Sequence, residues 1–269
     1  MVPVMAATFL YSLAGGMMLV LATGRPADIA WKFLRLCGFL MLGLLAMAGT
    51  MTFKSDTFIV DSMRMKTLGA GACAALCAAV LAMFAPLAAR LATSARCLCL
   101  LGGCAALAAS IASVAFTQNL GYGVSPRVLL CLGNLTAALL LGAITVSWLL
   151  GHAYLTATKM TIAPLRHFSR MLTWAVIIRA GFVAVSLMGG ANAPRAPGVL
   201  SQIANNWLVA VLRGGLGLIA VGIFAYMVAD CVRRRATQSA TGILYFGSLF
   251  AYVGELAALH LTREIGWPM

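Results

Sequence analysis

Residues 127–155 read RVLLCLGNLTAALLLGAITVSWLLGHAYL, and after Arg127 the stretch carries no formal charge. Its polar members are short and few: Asn134, Thr136, Thr145, Ser147 and, near the end, His152 and Tyr154. An apolar run of about eighteen residues or more is long enough to cross the roughly 30 Å hydrocarbon core of a bilayer as an α-helix. Every peptide group inside such a helix is bonded to the helix itself, so the segment asks nothing of lipid. The stretch is read as a membrane-spanning helix, and the rest of the chain has to be compatible with that environment.

It is. Of the 269 residues 62% are hydrophobic and 9% charged, with a mean hydropathy of +0.99, whereas about a quarter of an ordinary soluble domain is charged. Long apolar runs broken by charge, Pro or Asn place helices near 3–22, 29–50, 67–89, 93–116, 127–155, 168–190, 204–229 and 239–262. The expected fold is an all-α integral membrane protein, a polytopic bundle of about eight transmembrane helices forming one domain over 1–269. A re-entrant hairpin around Pro86 to Arg96 would reduce the count to seven. The first block lacks the basic n-region of a secretory signal and is read as a mature helix.

A net charge of +13 raises the question of nucleic acid, but the basic residues lie in short turns between apolar blocks, where they meet lipid headgroups and set topology. No nucleic-acid partner is expected. One set of turns holds eleven basic residues, from Arg25, Lys32 and Arg35 through Arg90, Arg96, Lys159, Arg166 and Arg170 to Arg233, Arg234 and Arg235. The other holds six: Lys54, Arg64, Lys66, Arg127, Arg195 and Arg263. Positive charge stays cytoplasmic, so both termini are expected on the non-cytoplasmic side. Size, composition and this bias point to a multi-pass protein of the cell inner (plasma) membrane. The connections near 51–66, 117–126, 156–167 and 191–203 are too short for a soluble domain. Chemistry in water would have to come from other subunits, docking at the cytoplasmic basic turns around Arg166 and Arg234.

Eight cysteines, Cys37, Cys73, Cys77, Cys97, Cys99, Cys104, Cys131 and Cys231, fall almost entirely within Ala/Leu/Gly-rich helical stretches, where a thiol behaves as a small hydrophobe. No metal site is expected from them. Nor is there a catalytic triad, phosphate loop, HExxH or CxxC pattern, so no catalytic residue is assigned.

Ionisable groups inside a span cost a few kcal/mol and mark functional or structural pairing. Three lie far from the ends of their spans: Arg179 in WAVIIRAGF, Arg213 in VAVLRGGLG and Glu255 in YVGELAALH. Arg179 lies about eleven residues into the sixth span, roughly 16 Å deep. Arg213 and Glu255 lie at matching depth, roughly 10–14 Å below the outer surface, and are natural partners on neighbouring antiparallel helices. Their role is either a structural clamp or a proton or quinone site.

The stretch from Gly151 to Arg170 is the most distinctive, with His152, Tyr154, Lys159, Arg166 and His167 at headgroup level. Such a cluster can hydrogen-bond a quinone carbonyl, hold a lipid phosphate or dock a soluble subunit. Haem b held between helices calls for imidazole ligands, and only His152 and His167 share a side; His260 is at the other. Haem is therefore the weaker expectation beside quinone.

In span number and outward termini the chain resembles the membrane anchor subunits of the polysulfide and dimethyl sulfoxide reductase type. That resemblance, one of topology, implies exchange of electrons with quinol and dependence on separate soluble redox subunits. The leading expectation is accordingly a membrane subunit of a respiratory-type electron-transfer complex, quinone-interacting or accessory, with His152, Tyr154, Lys159, Arg166, Arg179, Arg213 and Glu255 as quinone or proton-path candidates. The alternatives are a small-molecule or ion transporter, in which the buried charges line a path, and a structural or assembly subunit, in which they simply pair.

Overall fold

A computed structural model describes residues 2–24, 29–55, 61–115, 124–156, 161–191, 199–265 and 267–269. Among the described residues the secondary structure is helical, without strands. Eight helices are long and apolar enough to cross a membrane, making this a multi-pass membrane protein. Helices α1 (Val2–Thr23), α2 (Trp31–Phe53), α3 (Asp61–Met83) and α5 (Ala92–Ala115) supply the first four crossings. Helices α6 (Val124–Thr156), α7 (Ala163–Ala191), the composite seventh crossing and α11 (Thr237–Ile265) supply the rest.

The boundaries differ from the hydropathy reading in three places, each for a local reason. The third crossing is Asp61–Met83 rather than 67–89, because the chain turns at Phe84 and restarts as the short helix α4 (Ala85–Arg90), with Pro86 in its first turn. There the missing proline N–H costs nothing. The sixth crossing begins at Ala163 rather than 168, again with a proline, Pro164, in the opening turn. The seventh is interrupted: α8 (Val199–Asn205), a turn at Asn206, α9 (Trp207–Val211), a π-helix over Leu212–Ala220 and α10 (Val221–Arg233). Gly214, Gly215 and Gly217 lie inside the π segment, where weak helix propensity eases the widened turn.

The crossings close into two rings of four. In the first, α1 packs on α2, α2 on α3, α3 on α5 and α5 back on α1; in the second, α6 packs on α7, α7 on α10, α10 on α11 and α11 back on α6. The two rings share the α1–α6 seam. At its centre Gly16 and Gly142 bring backbones together: a Cβ on Gly16 would sit 1.8 Å from the Ala138 carbonyl oxygen, and one on Gly142 2.1 Å from the Gly16 carbonyl carbon. Small residues allow this close approach, and in lipid it is packing rather than hydrophobic segregation that holds helices together. Tyr11, Met17, Met18, Leu140, Leu141 and Ile144 fill the space around it. Large apolar side chains such as Leu36, Met83, Ile177, Ile219 and Tyr226 face outward, toward acyl chains.

Both termini lie at one end of this bundle, the terminal end; the opposite end carries Thr23, Arg96, His152, His167 and Asp230. At that opposite end α10 stops in a Schellman motif, with Ala236 N–H donating to Cys231 O and Arg235 N–H to Val232 O. The left-handed position is filled by Arg235, at φ 60, where glycine is the usual occupant.

Candidate functional site

Midway through the second ring, three ionisable side chains from three crossings meet. Glu255 of α11 receives Arg179 of α7 in a two-pronged pair, Nε to Oε1 at 3.0 Å and Nη2 to Oε2 at 2.6 Å. Arg213, projecting from the π-helix, donates Nη1 to Oε1 at 2.9 Å. All three are buried, at 2%, 2% and 4% exposure for Arg179, Glu255 and Arg213. Fork-to-carboxylate geometry is the strongest form of this interaction, and within an apolar bundle it offsets a desolvation cost of several kcal/mol per ion.

Arg179 is saturated. Its remaining donors go from Nη1 to Gly133 O at 3.0 Å and Thr136 Oγ1 at 3.1 Å, and from Nη2 to Met269 O at 3.0 Å. Its guanidinium also lies 5.4 Å from the Phe182 ring centroid. Arg213 is not: its Nε and Nη2 are buried without a hydrogen-bond partner. The π-helix is held tightly where it delivers Arg213, since a Cβ on Gly254 would fall 2.2 Å from Gly217 Cα. The segment 267–269 folds back against the cluster. Trp267 Nε1 donates to Ser186 O at 2.9 Å, Ser186 Oγ donates to Pro268 O, and Met269 N–H donates to Thr262 Oγ1 at 3.1 Å.

Beside the ions runs a chain of neutral polar groups across the shared seam. Thr8 and Ser113 hydroxyls are 2.7 Å apart and Ser12 and Ser110 hydroxyls 2.6 Å apart; Ser110 Oγ also donates to Thr8 O. Asn134 accepts from Ser12 at 2.9 Å and donates to Ser110 at 2.8 Å. One turn from Glu255 toward the opposite end, Tyr252 and Thr145 hydroxyls meet at 2.9 Å. A cavity of about 40 Å³ separates Asn134 from the ion cluster and is lined by Asn134, Gly133, Arg179, Glu255 and Thr262 among apolar neighbours.

At the opposite end of the bundle is a second kind of site, a cavity of about 360 Å³ between the end of α1 and the starts of α5 and α7. Its polar lining is Thr23, Arg96 and His167, its apolar lining Ile29, Pro164 and Phe168. His167 Nε2 is 3.1 Å from Thr23 Oγ1. Arg96 gives Nε and Nη2 to Gly24 O at 3.2 and 3.1 Å, satisfying a carbonyl beyond the end of α1. The early start of α7 at Ala163 places His167 inside its second turn, where it meets α1.

No family model, curated protein or solved structure matches the chain. The residues singled out from the sequence therefore stand on their geometry. Arg179, Arg213 and Glu255 converge on one point. His152 does not join His167: its Nδ1 is 3.2 Å from Tyr245 OH of α11, with Trp148 stacked edge-on to the same tyrosine. The two histidines thus bond to different helices, His152 to α11 and His167 to α1. Tyr154 donates to Thr161 O, fastening the α6–α7 connection. Arg166 is exposed, and Lys159 lies outside the described residues. Asp230 receives Arg233 and, at 2.8 Å, Arg234, both exposed. Among the described residues no three His, Cys, Asp or Glu side chains come together as a metal site.

Sequence reasoning did not pair Arg179 with Glu255, and it passed over Ser12 and Ser110. The missed signal is positional: Thr8, Ser12, Ser110, Ser113, Asn134 and Thr136 are all polar residues in otherwise apolar spans, clustered toward the same end.

Proposed function

We propose that this chain is a quinone-interacting membrane subunit of an electron-transfer complex, residing in a cell inner membrane with both termini on the non-cytoplasmic side. The observation that carries this reading is the cavity of about 360 Å³ lined by Thr23, Arg96, His167 and Phe168. Its volume is in the range of small-molecule sites, about 300–1,000 Å³. Its position at the headgroup level of the bundle suits an amphipathic ring that enters from lipid. A quinone ring needs hydrogen-bond donors at its carbonyl oxygens and an apolar wall for its faces. His167, Thr23 and Arg96 offer the former, Phe168, Pro164 and Ile29 the latter, so the residues present fit the group. The quinone, when bound, supplies the two-electron chemistry. The chain's part is to orient the ring and to hold a proton at the His167 imidazole, whose hydrogen bond to Thr23 fixes the ring plane. Electrons would come from partner subunits docked at the exposed basic turns around Arg166 and Arg234.

The test is photolabelling of the purified chain in nanodiscs with an azidoquinone, followed by peptide mapping. Saturable labelling of the peptides bearing Thr23 and His167, competed by unlabelled quinone and reduced by His167→Leu, is expected. Labelling that neither saturates nor responds to that substitution would overturn the assignment.

A second reading, a small-molecule or ion transporter, is favoured by the interrupted seventh crossing. A π segment that presents a buried arginine with two unpartnered donors resembles the discontinuous helices that carry substrate sites in transporters. Solute flux into liposomes containing this chain alone, lost on Arg213→Met, would decide for it.

A further inference from the structure

We infer that the terminal end of the bundle contains a water-filled half-channel that brings water and protons to Glu255 from that side of the membrane. Two adjoining cavities form it. The inner one, about 40 Å³, touches Arg179, Glu255 and Asn134; the outer one, about 30 Å³, touches Thr8 and Arg263. They share Val114, Leu259 and Thr262 as a common wall. A cavity needs roughly 10–15 Å³ of this kind of space, with two or more polar partners, to hold a water molecule. The inner cavity meets the polar condition with the Asn134 amide, the Thr262 hydroxyl, the ion cluster and the Met269 carbonyl, the outer one with Thr8, Thr262 and Arg263.

A line of polar groups runs beside the same two cavities. Thr8 lines the outer cavity and Asn134 the inner one; Ser12 and Ser110 bond to each other and to Asn134, while Ser110 reaches Thr8, and Ser113 reaches Ser110, only at main-chain carbonyl oxygens. A carbonyl accepts without donating, so this line lends the cavities polar walls and the water within them makes the connection. Glu255 is its inner limit. The charged groups facing Glu255 are Arg179 from α7 and Arg213 from the π-helix; Arg263 lines the outer cavity. Beyond Glu255 come the Tyr252–Thr145 hydroxyl pair, then the Gly16–Gly142 contact and the buried Leu140, Leu141 and Ile144. Among the described residues the two cavities approach Glu255 from the terminal end, and they stand apart from the quinone cavity at the other end.

Hydroxyl-radical footprinting by pulsed radiolysis, on the quinone-free chain in nanodiscs, tests this directly because radicals made from ordered internal water oxidise the side chains it touches. Met269 and Leu259 are expected to be oxidised, while Met17 and Met41, fully buried away from both cavities, are not. Filling the inner cavity with Ala258→Leu should abolish labelling at Leu259 and Met269; if that variant does not fold, Ala137→Leu on the opposite wall serves the same purpose. Labelling of Leu259 and Met269 no faster than of Met17, or labelling that survives filling, would overturn the half-channel and leave the quinone assignment untouched.

Discussion

Arg179 and Glu255 face each other across the second ring with two parallel contacts, 3.0 Å from Nε to Oε1 and 2.6 Å from Nη2 to Oε2. Arg213 reaches the same carboxylate through one contact. The two arginines are thus unequal partners, and the inequality can be measured. Glu255→Gln leaves two buried guanidinium groups without their counter-charge and should cost about 3–5 kcal/mol. Arg179→Met should be comparably severe, since it also strips donors from Gly133, Thr136 and Met269. Arg213→Met should cost only about 1 kcal/mol, the scale of a single intramembrane hydrogen bond. Thermal unfolding in one detergent, read by fluorescence, ranks the three; an Arg213→Met variant as damaged as Arg179→Met would contradict the ranking.

The joint between the rings makes a steric prediction. Gly16→Ala puts a methyl group onto the Ala138 carbonyl, and overpacking a tight contact costs about 1–3 kcal/mol or more. Gly43→Ala, with open space at its Cβ position, is the matched control. Size-exclusion profiles after extraction should show a loss of monodisperse protein for Gly16→Ala alone.

Asn134 ties α6 to α1 and α5 through Ser12 and Ser110. Asn134→Leu should lower stability by about 1–2 kcal/mol, because it removes several bonds and leaves two buried hydroxyls to re-pair. Thr50→Val is the control: that hydroxyl bonds only to its own helix, at Met47 O, and its replacement should change the melting temperature little.

Arg235 occupies a left-handed backbone position. Arg235→Gly should stabilise the α10–α11 connection by roughly 1 kcal/mol, the side chain's steric cost there. Slower amide exchange at Ala236 and Thr237 is the signature to seek; faster exchange would count against it.

The eight crossings were legible because bilayer thickness imposes a length on every apolar run, and TM helices satisfy their own backbones. One local break was not: the π-helix over Leu212–Ala220 lies within a span whose composition is apolar on both sides. The Arg179–Glu255 pair was hidden by an error of register. With the sixth helix starting at 168, Arg179 is about eleven residues deep. The added turn from Ala163 moves it about 7 Å further from that end, level with Glu255. The hydroxyl chain was illegible for another reason. A serine in a span can bond to its own helix or to a neighbour, and only the packing of α1 on α5 and α6 decides that Ser12 and Ser110 do the latter.

Glu255 follows both Arg179 and Arg213 in the chain. During insertion both arginines enter the bilayer before their counter-ion exists, at a cost of a few kcal/mol each. Arrival of the eighth helix relieves both at once and draws the sixth and seventh into place. A chain arrested between Arg213 and Glu255 would hold two buried charges in lipid without the carboxylate that pairs them, so the eighth helix is what makes the sixth and seventh tolerable there.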